Sequence, residues 1–171
     1  MKPLDDVCRG CRLSGDRREF LQDAARIALG ALIALGLSPR RAAALAISHS
    51  TGHRSPGATE VSYPIPASDG ATIDEQNQVI LVRFQGMAYA FALSCPHQNT
   101  ALRWKGEDGR FQCPKHKSQY QPDGTFIKGR ATRNMDRMPI RSDGRMLLVD
   151  VDHVYESDKD PSGWAGAHVR L

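Results

Sequence analysis

Long hydrophobic runs are absent from this sequence of 171 residues. The longest apolar stretch, residues 24–37, has only fourteen residues and is interrupted by Arg26, whereas a membrane-spanning helix needs about 20 apolar residues. Internal repeats and a second domain-sized pattern are also absent, which argues against repeat architectures and multidomain enzymes. The residues that follow position 46 are enough for one domain with its own hydrophobic core.

A general excess of basic residues is absent once the N-terminal region is set apart. The chain has 23 Lys and Arg against 19 Asp and Glu, but residues 1–46 contain eight of the basic and five of the acidic side chains. The remainder is therefore nearly neutral. Because nucleic-acid binding needs a basic stripe or a recognised motif, the composition argues against a nucleic-acid partner.

Cysteine is scarce, with four in the chain, and two of the four occur close to histidine. These are Cys95-Pro96-His97 and Cys113-Pro114-Lys115-His116. Four thiolate and imidazole ligands in two matched pairs predict a metal centre. A zinc site would use the same residue types, although zinc sites usually pair Cys with Cys and His with His. A disulfide between Cys95 and Cys113 is a third interpretation for an exported protein, but it leaves both histidines without a role.

The pattern C-x-H-x15-C-x2-H resembles the Rieske family over roughly residues 93–140. In that family two cysteines bind one iron of a [2Fe-2S] cluster and two histidines bind the other. The resemblance implies that Cys95 and Cys113 hold one iron, and that His97 and His116 hold the second. Neutral imidazoles leave the oxidised centre without net charge, so a potential of about −150 to +300 mV is expected.

Two hydroxyl side chains follow the second histidine. In high-potential Rieske proteins a Ser and a Tyr at these offsets donate hydrogen bonds to a bridging sulfide and to a ligand cysteine sulfur. The resemblance therefore implies that Ser118 and Tyr120 set the potential. Without the family resemblance, Ser118 would be interpreted as a turn serine and Tyr120 as a core tyrosine.

Three positions depart from the family pattern. Thr100 and Lys115 stand where the cytochrome bc type has two cysteines that join the ligand loops by a disulfide, so that link is absent. Lys117 stands where the family usually has Gly. The segment 129–134, Gly-Arg-Ala-Thr-Arg-Asn, lies where the family has a proline-rich third loop over the cluster, and it more closely resembles the small Rieske subunit of arsenite oxidases.

The N-terminal region predicts export. Asp16-Arg17-Arg18-Glu19-Phe20-Leu21 resembles a twin-arginine signal, residues 24–37 form the apolar stretch, and Ala44-Leu45-Ala46 suits signal cleavage. The twin-arginine route carries folded proteins, which agrees with a cluster that is assembled in the cytoplasm. Cys8 and Cys11 are interpreted as part of this leader. An uncleaved signal anchor that tethers the protein to the inner membrane is also compatible with the sequence.

Alternating apolar residues and turn signatures predict an all-β fold. Residues 78–84 and 87–93 form a hairpin about Gln85-Gly86, and Asp143-Gly144 leads into a strand at residues 145–151. We expect a Rieske-like antiparallel β sandwich with two cluster-binding loops at one tip, preceded by an N-terminal helical signal segment. The predicted divisions are a signal peptide or anchor, a linker, a Rieske domain and a C-terminal tail, at residues 1–46, 47–60, 61–154 and 155–171.

These features predict an electron-transfer protein in the bacterial periplasm, with no independent catalytic site. Its expected partners are a cytochrome and a larger oxidoreductase subunit. The alternative is the quinol-oxidising Rieske subunit of a bc-type membrane complex. The segment from Cys95 to Arg137 contains nine basic residues and four acidic ones. The electric field of this positive segment would steer an acidic redox partner.

Overall fold

Most regular structure in the computed structural model is β strand, and the model describes residues 46–171. The predicted signal segment, with the twin arginines and both N-terminal cysteines, lies outside the described residues apart from Ala46. Within residues 46–171 no helix has the length and apolar character needed to cross a membrane. In chain order the strands β1 to β13 are Ala46–His49, His53–Arg54, Glu60–Pro64, Gly70–Asp74, Val79–Phe84, Met87–Ala92, Arg103–Lys105, Arg110–Gln112, Gln119–Tyr120, Phe126–Lys128, Ile140–Ser142, Met146–Asp150 and Val169–Arg170.

The predicted hairpin is confirmed and forms the centre of the fold. Strands β5 and β6 pair in antiparallel register from Val79 opposite Ala92 to Phe84 opposite Met87. Gln85 and Gly86 join them with φ of 52° and 73°, because a two-residue hairpin with positive φ at both positions matches the twist of the flanking strands.

Strand β5 reads as a continuous apolar run because both of its faces are buried. Ile80 and Val82 belong to one core cluster, whereas Val79 and Leu81 belong to the other. The first cluster contains both cysteines of the predicted site and residues of β7 to β9. The second contains residues of β3 and β12.

Three sheets result from this arrangement. A five-stranded sheet has the order β1-β4-β5-β6-β13, a base sheet has the order β11-β12-β3-β2, and a ligand sheet has the order β10-β9-β8-β7. All pairings are antiparallel except that of β1 with β4. The all-β antiparallel expectation is therefore confirmed. The ligand sheet and the base sheet contribute to separate cores that meet opposite faces of β5.

Two segments expected to be a linker and a tail contain strands. Residues 46–49 pair with β4 and residues 53–54 pair with β3. At the other end, Val169 and Arg170 pair with β6, after a helix α1 at Pro161–Gly166 that begins with Asp160 as its cap. Short polar strands of this kind carry little periodic signal, since their pairing partners decide their structure.

Asp74 ties the first described residues to the domain. Its carboxylate is 2% exposed and accepts hydrogen bonds from the Gly52 N–H, the Tyr63 hydroxyl and the Asn77 amide at 2.7 to 2.9 Å. Burial raises the pKa of Asp74, but the hydrogen bonds together lower it by more than burial raises it. The net pKa therefore lies below the usual value. The ionised carboxylate is therefore the form that the fold stabilises.

Candidate metal centre

The two Cys/His motifs form loops with the same backbone hydrogen bonds. In residues 95–100 the Cys95 N–H donates to the Thr100 carbonyl, and the Asn99 N–H donates to the Cys95 carbonyl, both at 2.9 Å. In residues 113–118 the Cys113 N–H donates to Ser118 and the Lys117 N–H donates to Cys113, at 2.8 and 3.0 Å. Each loop thus begins at its cysteine and closes within six residues.

The loops also share a left-handed residue at the fourth position after cysteine. Asn99 has φ of 49° and Lys117 has φ of 60°. Asn adopts this conformation readily, whereas a lysine side chain crowds the backbone there. This crowding is a physical reason for the glycine that the family usually has at this position. The present chain has lysine there and tolerates the strain.

The two cysteine side chains are buried and reduced. Cys95 and Cys113 are 0% and 1% exposed, and neither forms a disulfide. Burial raises the pKa of the Cys95 thiol, a hydrogen bond with Tyr120 lowers it, and the neighbouring Cys113 raises it again. Two thiols that close together in an apolar core are suited to sharing a cation, because metal binding neutralises the thiolates that burial disfavours.

The two imidazoles meet at the partly exposed edge of the same region. The Nδ1 atoms of His97 and His116 are 3.1 Å apart, and the rings lie at 87° to each other. Desolvation lowers the pKa of His116, and the positive charges of His97, Lys115 and Arg130 lower it further. The neutral imidazole, which is the form that binds metals, is therefore favoured.

The donor set fits a two-metal cluster held from two sides. Two nitrogens at typical metal–imidazole distances from one tetrahedral ion are roughly 3.3 to 3.4 Å apart, close to the separation of the two Nδ1 atoms. The sulfur pair lies in the core and the nitrogen pair at the edge. Among residues 46–171 no three His, Cys, Asp or Glu side chains gather around one ion position.

The two predicted hydroxyl side chains lie beside the thiols. Tyr120 is fully buried, and its hydroxyl is 3.4 Å from the Cys95 sulfur. Burial and the neighbouring Cys95 raise the pKa of Tyr120 far above its usual value, so the phenol stays protonated. Ser118 is also fully buried, and its oxygen accepts the N–H groups of Arg130 and Ala131 at 3.1 Å.

A third loop, residues 129–138, packs against the second ligand loop. Gly129 has φ of 127°, and a Cβ there would be 2.3 Å from the Ser118 Cα atom, so glycine is required for this contact. The role of Gly129 was not predicted from the sequence. Nor were the contacts of Arg133, Arg137 and Trp164, through which this loop meets the C-terminal residues. No periodic pattern marks them, because their contacts span up to 29 positions of the chain.

Comparison with known proteins agrees with this geometry. The family model for the Rieske [2Fe-2S] domain matches residues 61–141. The chloroplastic cytochrome b6-f complex iron-sulfur subunit of Bigelowiella natans is 31% identical over 88 residues, which cover 52% of this chain and 30% of that protein. The cytochrome b6-f complex iron-sulfur subunit 1 of Synechocystis sp. (strain ATCC 27184 / PCC 6803 / Kazusa) is 47% identical over 38 residues, covering 22% of this chain and 21% of that protein.

The aligned stretches thus span less than a third of the length of these two relatives. Among solved structures, the chain is similar to the cyanobacterial plasma membrane Rieske protein PetC3 from Synechocystis PCC 6803. That similarity has 25% sequence identity and a TM-score of 0.39, and it covers 53% of this chain and 85% of the other.

A β domain that carries a buried thiol pair and an edge imidazole pair on two matched loops has the donor set of a Rieske-type iron-sulfur centre, the class of site that transfers electrons. The match at residues 61–141 shows that this part of the chain is a Rieske [2Fe-2S] domain, and the resemblance of the sequence is confirmed. The cofactor of this family is a [2Fe-2S] cluster, as the sequence predicted.

Replacement of Lys117 by Gly tests the strain in the second ligand loop. A left-handed lysine costs about 1–2 kcal/mol, and glycine costs about 0.5–1 kcal/mol in unfolded-state entropy. We expect Lys117→Gly to stabilise the protein by about 0.5–1 kcal/mol in urea unfolding of the holoprotein under anaerobic conditions.

The matched control is Asn99→Gly in the equivalent position of the first loop. Because asparagine tolerates the left-handed region, this variant should be neutral or slightly destabilised. Equal stability changes in the two variants would contradict the assignment of strain to Lys117.

Proposed function

We propose that this protein is an exported Rieske-type electron carrier, a free protein or a subunit, that passes one electron between a periplasmic oxidoreductase and a cytochrome. The observation that carries the proposal is the pairing of donors: two reduced thiols in the core and two Nδ1 atoms 3.1 Å apart at the edge. Cys95 and Cys113 would hold one iron, and His97 and His116 the other. When bound, the [2Fe-2S] cluster supplies reversible one-electron chemistry.

The residues of the chain divide the remaining tasks. The buried thiols keep water away from one side of the site, whereas the partly exposed imidazoles bring the other side to the surface. An electron would therefore leave through a histidine edge. The Tyr120 hydroxyl lies next to the Cys95 sulfur, and together with Ser118 it would donate hydrogen bonds that favour the reduced state.

Exposed basic side chains in the segment that carries both ligand loops form a set, here called the basic rim, that suits an acidic partner. Of the nine basic side chains between Cys95 and Arg137, three are engaged: Arg110 and Arg133 in ion pairs and Arg137 in the core. The other six are exposed and form no ion pair with another described residue; they are Arg103, Lys105, Lys115, Lys117, Lys128 and Arg130. Lys115 and Arg130 lie near enough to His116 to lower its pKa. Negative charge on a partner would be attracted to this edge.

A specific observation supports a second candidate, the quinol-oxidising subunit of a bc-type complex. The relatives from Bigelowiella natans and Synechocystis described above are iron-sulfur subunits of cytochrome b6-f complexes. Against this candidate stand Thr100 and Lys115 in place of the cysteine pair and a third loop without proline before Pro139. The first candidate is therefore favoured.

Ligand substitution tests the cluster assignment. We expect the anaerobically purified protein to contain iron and labile sulfide in equal amounts and to give a Rieske-type electron paramagnetic resonance signal after reduction with dithionite. His97→Ala, His116→Ala, Cys95→Ser and Cys113→Ser should each abolish that signal, because each removes one iron ligand.

Gln112→Ala, next to the second cysteine, is the matched control and should keep the signal. Zinc in the purified protein, or a Rieske signal that persists in the histidine variants, would refute the assignment of ligands.

The salt dependence of oxidation by small reagents tests the basic rim without a known partner. Oxidation of the reduced protein by anionic ferricyanide should slow by about tenfold or more as ionic strength rises from about 0.01 to 0.3 M. Oxidation by a cationic cobalt(III) complex should accelerate instead. Stopped-flow absorbance measures both rates.

Lys117→Glu combined with Lys128→Glu should weaken both salt effects. Arg145→Glu is the control, since Arg145 is exposed beside β12 in the base sheet. Salt-independent rates with both reagents would remove the steering role of the rim.

Fractionation of native cells tests the location and separates the two candidate functions. We expect the protein in the soluble periplasmic fraction with its cluster, and an Arg17→Lys, Arg18→Lys variant in the cytoplasm, since the twin arginines are the export signal. Copurification of the native protein with a cytochrome b would instead establish the second candidate.

A further inference from the structure

The third loop is anchored by charged residues near the C-terminus. The Arg133 guanidinium lies 3.0 Å from the carboxylate of Asp136, 3.0 Å from that of Glu156 and 3.7 Å from that of Asp158. Residues 156–160 form a turn in which the Glu156 carbonyl accepts the N–H groups of Lys159 and Asp160. The two acids outside the loop are therefore presented by a closed turn.

Neutral contacts reinforce the same junction. The Asn134 N–H donates to the Ser157 hydroxyl at 3.3 Å, and the Trp164 indole N–H donates to the Met135 carbonyl at 2.7 Å. Inside the loop region, the Asn134 side chain accepts the Phe126 N–H at 2.9 Å. The middle of the third loop is thus fixed from the C-terminal side by both ion pairs and hydrogen bonds.

The beginning of the loop is fixed against Ser118. The N–H groups of Arg130 and Ala131 both donate to the Ser118 oxygen at 3.1 Å, and Gly129 allows the close approach. Along the chain, Arg133 lies three positions after Arg130 and two after Ala131. Release of Arg133 would therefore let the two N–H groups withdraw from Ser118.

The double contact determines the direction of the Ser118 hydroxyl proton. A serine oxygen has two acceptor lone pairs and one proton. When two N–H groups occupy both lone pairs, the proton is left to donate in the remaining direction. Ser118 closes the second ligand loop and is fully buried, and its hydroxyl lowers the pKa of Tyr120 as a hydrogen-bond partner.

We propose that Arg133, Glu156 and Asp158 are positioning residues that hold the third loop against Ser118, so that the Ser118 hydroxyl donates to the cluster and keeps its reduction potential high. The inference rests on the cluster assignment proposed above. It assigns to the C-terminal segment a role in tuning the potential, although none of its residues lies in the ligand loops.

The test uses the holoprotein with the double substitution Glu156→Gln and Asp158→Asn. Removal of two negative charges near a redox centre raises its potential by electrostatics alone. Loss of the anchor lowers it, because a freed Ser118 hydroxyl donates to the cluster less often. We expect a net fall in the midpoint potential, measured by redox titration of the electron paramagnetic resonance signal.

Two controls separate the mechanism from general effects. Glu60→Gln removes an acid that also pairs with an arginine, Arg141, but on the base sheet, and it should cause no fall. In a Ser118→Ala background the double substitution should no longer lower the potential, since the group through which it acts is absent. If the double variant does not retain its cluster, Ser157→Ala is measured in its place. That variant removes only a neutral contact, so the fall in potential should be smaller.

The outcomes are distinguishable. A potential that stays constant or rises in both the double variant and Ser157→Ala, while Ser118→Ala lowers it, overturns this inference and leaves the proposed function intact. An unchanged potential in Ser118→Ala overturns the inference together with the proposed role of Ser118. Absence of a Rieske signal from the unmodified protein would overturn the proposed function itself.

Discussion

Burial of two reduced thiols in the core between the ligand sheet and the five-stranded sheet is the constraint on which this structure depends. A thiolate in apolar surroundings is costly unless a cation compensates its charge. Cys95 and Cys113 share a core cluster with Phe91, Phe111 and Trp104, so the proposed metal site and the hydrophobic core are one unit. Loss of the metal would leave that core with two neutral thiols and two loops whose remaining support is backbone hydrogen bonding.

Arg137 joins the third loop to the C-terminal helix and to the turn at Asp123. It is 4% exposed and has no carboxylate partner among the described residues; instead it donates to the carbonyls of Trp164 and Asp123 at 2.8 and 2.7 Å. Its guanidinium stacks 3.7 Å from the Trp164 ring centre. Burial lowers the pKa of Arg137, but a guanidinium stays charged near neutral pH. The C-terminal helix is thereby joined to the region of the third loop without a covalent bond.

The arrangement of the candidate site and the charges near it are both suited to electron transfer with an acidic partner. The imidazole pair is partly exposed, with Lys115 and Arg130 near His116, whereas the thiol pair lies in the core. The comparisons establish the Rieske domain and its electron-transfer class. They do not identify the redox partner, because the aligned stretches cover less than a third of the two relatives described above. The class of partner is therefore inferred from the charges near the imidazole pair.

The sequence by itself determined the two Cys/His motifs, the hairpin about Gln85-Gly86 and the all-β class, because each depends on residues that are close together in the chain. Cysteine and histidine at fixed spacing carry their chemistry wherever the fold places them. Only the tertiary structure decided that residues 46–49, 53–54 and 169–170 are strands, that Gly129 touches Ser118, and that Arg133 and Arg137 join the third loop to the C-terminal residues. These features rest on contacts between residues far apart in the sequence, and no local pattern records which distant groups will meet.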